Sequence, residues 1–111
     1  MKGNKIRALA TTGAKRSAAF PDLPTLDEIG IKGFEASAWW GLFAPADTPA
    51  LIVDKLNAAL KIALEDKSVQ ASLAAQGDEV RYSSPRDFGR FVKAETGKWT
   101  QVVKSADLKI D

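Results

Sequence analysis

The sequence predicts an α/β fold that is part of a larger one. Segments with strand character alternate with segments of helical period, only three short strands are visible, and no internal repeat, low-complexity tract or linker divides the chain. The expected order is strand, helix, strand, two helices, strand, helix, so three short strands are to be covered by helices. Three strands make a thin sheet, and for that reason the chain reads as a portion of a fold rather than a whole one.

Ile6-Arg7-Ala8-Leu9-Ala10-Thr11-Thr12 is short, mostly apolar and closed by Gly13, the form of a strand that ends in a turn. Phe20-Pro21-Asp22-Leu23-Pro24 is not helical, because its two prolines remove donors and push their predecessors toward extended geometry. Thr25-Leu26-Asp27-Glu28 has the spacing of a capping box, and Gly30 ends the helix it opens after about one turn. Phe34 to Phe43 alternates loosely and carries Trp39 and Trp40, which predicts a buried strand stopped by Pro45.

Thr48-Pro49 predicts a helix start, with the Thr48 hydroxyl as cap and proline at the first helical position. The stripe Ile52, Leu56, Ala59, Leu60, Ala63 and Leu64 follows at helical spacing. Ser68 is expected to cap a second helix, with Val69 and Leu73 inward and Gly77 as its left-handed end, so that the two helices form a hairpin. Glu79-Val80-Arg81-Tyr82 reads as a brief strand, and Ser84-Pro85-Arg86-Asp87 as a capped start. A long helix then carries Phe88, Phe91, Val92, Glu95, Trp99, Val102, Val103 and Ala106 on one stripe despite Gly97.

Composition excludes several function classes. The chain has 111 residues, of which 45% are hydrophobic and 27% charged, the profile of a globular chain rather than a disordered one. Its 16 basic and 14 acidic residues are interspersed, and Lys15-Arg16 is only a pair, read as solvated, so no nucleic acid partner is expected. Without cysteine there is no disulfide or thiolate metal site, and without histidine the commonest general base and metal ligand are missing. Asp27, Glu28, Asp47 and Asp87 are all explained as cap or first-turn charges, which leaves no paired carboxylates for catalysis. No catalytic residue, metal or cofactor is therefore expected, and the chain is not read as an enzyme. The polar start Met1-Lys2-Gly3-Asn4-Lys5 lacks the apolar run of a signal peptide, and Asp54 and Lys55 interrupt Leu51-Ile52-Val53 before it nears membrane-spanning length, so no membrane insertion is expected.

Ala8-Leu9-Ala10-Thr11-Thr12-Gly13-Ala14-Lys15-Arg16, then Pro21-Asp22-Leu23-Pro24-Thr25 and Glu28-Ile29-Gly30, resembles the extracytoplasmic receptors of tripartite tricarboxylate transporters, the Bug or TctC family. Gly33-Phe34-Glu35-Ala36, Trp39-Trp40-Gly41-Leu42-Phe43-Ala44-Pro45, Thr48-Pro49, Leu56-Asn57 and Trp99 continue the resemblance in order. It corresponds to roughly the last third of such a receptor, and the implied fold is part of a two-lobed periplasmic binding protein, type II-like. The resemblance assigns residues 1–35 to the second lobe, 36–44 to a strand crossing at the hinge, and 45–111 to the completion of the first lobe. Periplasmic localisation is implied in the same way.

The implied function is solute-binding receptor, or part of one, for a small carboxylate that it delivers to a membrane transporter. The alternative is a non-binding fragment that self-associates into a homo-oligomer as an assembly module through an unpaired strand edge. Carboxylate recognition without histidine uses backbone N–H groups and hydroxyls at helix starts. Thr25 and Thr48 stand at such starts, where the simpler role is capping, and the Pro21 to Thr25 stretch is the better placed of the two to face a cleft. Trp39 and Trp40, adjacent on a strand, point to opposite faces, so at most one lines a cleft while core or hinge packing explains either. The candidate ligand-binding residues are Asp22, Thr25, Trp39 and Trp40.

Overall fold

The computed structural model describes residues 6–107, so Met1–Lys5, expected to be polar and without leader character, lies outside the described residues. The chain divides into two compact units, Met1–Phe43 and Ala44–Asp111.

In the first unit the expected strand at 6–12 forms no ladder and pairs at one point, a parallel bridge between Thr11 and Thr25. Thr11 N–H donates to the Pro24 carbonyl at 2.8 Å, and Leu26 N–H donates to the Thr11 carbonyl at 2.9 Å. On its amino-terminal side the pairing stops for a chemical reason: Pro24, the next donor position in this register, has no N–H. Ala36 N–H adds one bond to the Thr12 carbonyl at 2.9 Å. Beyond that bond the expected strand at 34–43 has no ladder among the described residues, since one contact does not place a second strand alongside it.

The capping box forms in both directions: Glu28 N–H donates to the Thr25 hydroxyl and Thr25 N–H to the Glu28 carboxylate, each at 3.2 Å. What it opens is a single turn. Gly30 N–H donates to the Asp27 carbonyl at 3.3 Å and Ile31 N–H to the Leu26 carbonyl at 3.0 Å. This pair of bonds needs a left-handed residue at Gly30, whose φ is 112°. Asp27 then fastens the exit: its carboxylate accepts from Gly33 N–H at 2.8 Å and from Lys32 at 3.3 Å. The Gly33 N–H, and after it Lys32, hold the Asp27 carboxyl below its ordinary pKa.

The second unit contains three helices, α1 (Ala50–Glu65), α2 (Lys67–Gln76) and α3 (Pro85–Ser105). The helix α1 starts one residue later than a Thr48 cap requires: Pro49 takes the cap position and no side chain caps it. Thr48 instead closes a turn, its N–H donating to the Pro45 carbonyl at 3.1 Å. Val53, Asn57, Leu60 and Leu64 recur at helical spacing as the half-buried residues of α1, which packs on both α2 and α3.

The cap of α2 is Asp66 rather than Ser68. One Asp66 carboxylate oxygen accepts from Ser68 N–H at 2.8 Å and Val69 N–H at 3.2 Å, and also from the Ser68 hydroxyl. A charged acceptor two residues upstream outcompetes the hydroxyl, because it meets two orphan donors at once and suits the helix dipole. Gly77 ends α2 as expected, at φ 87°, with Gly77 N–H donating to Ala74 and Asp78 N–H to Leu73.

The Ser68 hydroxyl, followed by the Val69 and Ser68 N–H groups, lowers the Asp66 pKa. A depressed folded pKa means that the cap stabilises α2 fully above the ordinary carboxylate value and loses that stabilisation as pH falls through the folded one. Acidification below the ordinary carboxylate range is therefore expected to weaken the start of α2 in the wild-type chain. An Asp66→Asn chain, whose residue 66 does not titrate, should show a smaller helical change over that window by circular dichroism; equal changes in the two chains would sink this account.

The brief strand expected at 79–82 is also absent, and its residues are tied to α1 instead. Tyr82 donates its hydroxyl hydrogen to the Asn57 side-chain oxygen at 2.7 Å, and the Asn57 amide donates to the Ser83 carbonyl at 3.1 Å. With both ends of Asn57 engaged, the connection lies along α1 rather than beside another strand. Ser84 caps α3 as expected, accepting from Asp87 N–H at 3.1 Å with Pro85 at the first helical position.

Glu95 sits on the apolar stripe of α3 because the neighbouring indole needs an acceptor: Trp99 donates its ring N–H to Glu95 at 3.0 Å, and Lys98 pairs with the same carboxylate. Among the described residues no hydrophobic side chain is buried, and the one buried residue is Thr25, at 2% exposure.

Candidate functional site

The loop from Arg16 to Glu28 is the most closely organised part of the first unit. Two prolines stiffen residues 21–24, and Thr25 locks their end through all of its polar groups. Its N–H and hydroxyl engage Glu28, and its carbonyl accepts from Ile29 N–H at 3.3 Å. Arg16 closes the loop from the other side. Its Nε donates to the two Glu28 oxygens at 3.1 and 2.9 Å, and its Nη1 donates to the Pro21 carbonyl at 3.2 Å.

Glu28 thus serves the cap and the guanidinium together. The Arg16–Glu28 pair is about half exposed, at 48% and 44%, so the attraction contributes under about 1 kcal/mol and its consequence is the shape of the loop. Arg16, read as a solvated member of a basic pair, is indeed exposed, and it also fastens the loop through Glu28 and the Pro21 carbonyl. The signal was not local, since twelve positions separate Arg16 from Glu28 and no helical or strand period links them.

The four candidate residues fall into two groups. Asp22 and Thr25 share the fastened loop, Asp22 exposed on it and Thr25 buried beneath. Trp39 and Trp40 stand side by side later in the same unit, at 36% and 84% exposure. Asp22 supplies an acceptor, and each indole an N–H donor and a flat apolar face. Among the described residues no group of three or more His, Cys, Asp or Glu is arranged to hold a metal ion. No described helix is long and apolar enough to cross a membrane.

The class of protein is set by solved structures of the same fold. The chain superposes on the periplasmic binding protein BugD with a TM-score of 0.74 and 38% identity, over 90% of this chain and 34% of that one. It superposes on an R. palustris protein solved with adipate with a TM-score of 0.73 and 38% identity, over 89% of this chain and 33% of that one. The expectation of part of a two-lobed α/β binding-protein fold therefore holds, although the three short strands expected do not form ladders and the described residues of this chain are rich in helix.

The chain belongs to the tripartite tricarboxylate transporter family of receptors, whose model matches residues 1–108. It is 40% identical over 109 residues to a UPF0065 protein of the TAR-I ttuE-ttuC' intergenic region of Agrobacterium vitis, covering 96% of this chain and 32% of that protein. It is 34% identical over 110 residues to BugT of Bordetella pertussis, covering 99% of this chain and 34% of BugT. A UPF0065 protein from the gbd 5' region of Cupriavidus necator is 43% identical over 104 residues, covering 94% of this chain and 32% of that protein. The chain spans about one third of the length of these relatives. The family is one of receptors, a binding rather than a catalytic class.

Proposed function

We propose that the chain acts as part of a periplasmic solute receptor that grips a small carboxylate and delivers it to a tripartite transporter. One observation carries the reading: the receptor-family match runs along residues 1–108, almost the whole chain, and one solved structure of the same fold is described with adipate. In this reading residues 1–35 belong to one lobe, 36–44 to the crossing segment and 45–111 to the other lobe.

The loop at 21–25 supplies part of the wall against which the ligand rests. Asp22 accepts from a ligand hydroxyl or water, while Trp39 and Trp40 offer an indole N–H and an apolar face to the ligand's carbon chain. Thr25, with its hydroxyl already accepting from Glu28 and only 2% of its surface open, shapes the loop from below. A site of this composition meets the carboxylate with neutral donors, whose hydrogen bonds to an ionised acceptor are stronger than those to a neutral amide of the same length.

Titration of the isotope-labelled chain with adipate, followed by amide and indole resonances, tests the reading. Saturable shifts are expected at residues 21–25 and at the indoles of Trp39 and Trp40, with none from adipamide, which has the same length without the charges. Equal responses to the two compounds, or none to either, would sink it.

A further inference from the structure

Arg16 reaches the ligand loop at one specific peptide. Its Nη1 donates to the Pro21 carbonyl at 3.2 Å, and that carbonyl belongs to the peptide joining Pro21 to Asp22. The peptide lies inside a turn closed by Leu23 N–H on the Phe20 carbonyl at 3.1 Å. The other side of the same guanidinium is braced: Nε donates to the two Glu28 oxygens at 3.1 and 2.9 Å. Glu28 is itself held, because its carboxylate accepts from Thr25 N–H at 3.2 Å. A planar fork fixed at one edge to an anchored carboxylate sets the direction of whatever its other edge holds, here the peptide from which the Asp22 side chain departs.

Arg16 stands at the end of a short strut that serves both groups of candidate residues. Thr11 is bonded through its N–H to Pro24 and through its carbonyl to Leu26, and the Thr12 carbonyl accepts from Ala36 N–H. Gly13 lets the chain turn tightly against the second segment: a methyl group there would stand 3.1 Å from the Lys15 carbonyl and 3.8 Å from the Ser37 hydroxyl. Residues 11–16 are thus bonded on one side to the loop that carries Asp22 and on the other to the segment that continues into Trp39 and Trp40, all within the first unit.

We infer that Arg16 is a positioning residue of the ligand loop: its guanidinium holds the Pro21–Asp22 peptide against Glu28, keeps Asp22 in the orientation that ligand binding uses, and is not replaceable by lysine. An ammonium carries the same charge, but it is a point donor without the rigid fork that meets a carboxylate and a carbonyl in fixed directions. The consequence for ligand rests on the receptor reading. The fastening of the peptide does not.

Arg16→Lys and Arg16→Gln test the inference, with Lys15→Gln as the control that removes a neighbouring charge. In the ligand-free chains, hydrogen exchange of the Leu23 amide is expected to be about threefold to fivefold faster in both Arg16 variants, the range set by loss of a half-exposed charged contact. The Glu28 amide, held by the Thr25 hydroxyl, should change by less than about twofold. A loop that is fastened for a smaller fraction of the time binds in proportion to that fraction, so the adipate dissociation constant should rise at least about twofold in both Arg16 variants. The Lys15→Gln chain should match the parent in every readout.

Unchanged Leu23 exchange would overturn the inference. So would a lysine variant that keeps both the slow exchange and the affinity, since charge alone would then suffice. Faster exchange at Glu28 as well as Leu23 would show that Arg16 holds the whole unit rather than one peptide, and fast Leu23 exchange with full adipate affinity would show that the peptide's direction does not matter to ligand. A parent chain that ignores adipate ends the receptor reading, and the Leu23 and Glu28 amides then decide by themselves whether Arg16 sets the Pro21–Asp22 peptide.

Discussion

Replacing Asn57 with alanine is expected to destabilise the helical unit by about 1–2 kcal/mol. Asn57 accepts from the Tyr82 hydroxyl at 2.7 Å and donates to the Ser83 carbonyl at 3.1 Å, bridging 26 positions of sequence. Truncation leaves the half-buried Ser83 carbonyl without its partner, where an unmade bond costs more than a made bond contributes, and frees the Tyr82 hydroxyl on a side chain 43% exposed to turn to water.

The effect has a recognisable signature. All described helices lie between residues 50 and 105, so the far-ultraviolet signal in a urea titration reads this unit. The Tyr82→Phe chain should lose about half as much stability as Asn57→Ala, since it removes one bond of the two. The double variant should be less destabilised than the sum, because the partners share an interaction. Strict additivity would show that the two residues act independently and that the bridge does not hold the 78–84 connection to α1.

That bridge also marks the boundary of what the residues revealed in advance. Features closed within a few positions were legible: the reciprocal Thr25–Glu28 pair, the left-handed Gly30 and Gly77, and the Ser84 cap. In each the donor and acceptor are fixed by local spacing, so composition alone constrains the geometry. The caps read wrongly, Thr48 and Ser68, are places where a neighbour offers a better solution, the Pro45 turn in one case and the Asp66 carboxylate in the other.

The strands at 34–43 and 79–82 failed for a different reason. Extended character is a local property, but a strand exists only through a ladder, and among the described residues neither segment forms one: the 79–82 segment is held by a helix residue and Ala36 of the other bonds Thr12 once. The family pattern could be read because it is a joint order of short phrases, whereas the fastening of the candidate loop by Arg16 depends on a contact across twelve positions that no period encodes.

Substituting Thr25 by valine is expected to cost about 1–2 kcal/mol in the first unit, and the contrast with serine identifies the cause. Valine keeps the shape of the buried side chain but leaves the Glu28 N–H, now 3.2 Å from the hydroxyl, with no acceptor. Serine keeps the acceptor and deletes one methyl group, a loss of under about 1 kcal/mol even at 2% exposure. Hydrogen exchange of the Glu28 and Leu26 amides should therefore accelerate strongly in Thr25→Val and only slightly in Thr25→Ser.

The same pair of variants separates support from contact in the ligand reading. If Thr25 shapes the loop from below, the serine chain should respond to adipate like the parent, while the valine chain should lose the response at Asp22 as the loop loosens. A valine chain with slow exchange at Glu28 and an unchanged response at Asp22 would mean that the hydroxyl does not hold the loop. The Arg16–Glu28 pair, bound to the Pro21 carbonyl as well, would then be the contact that fixes its shape.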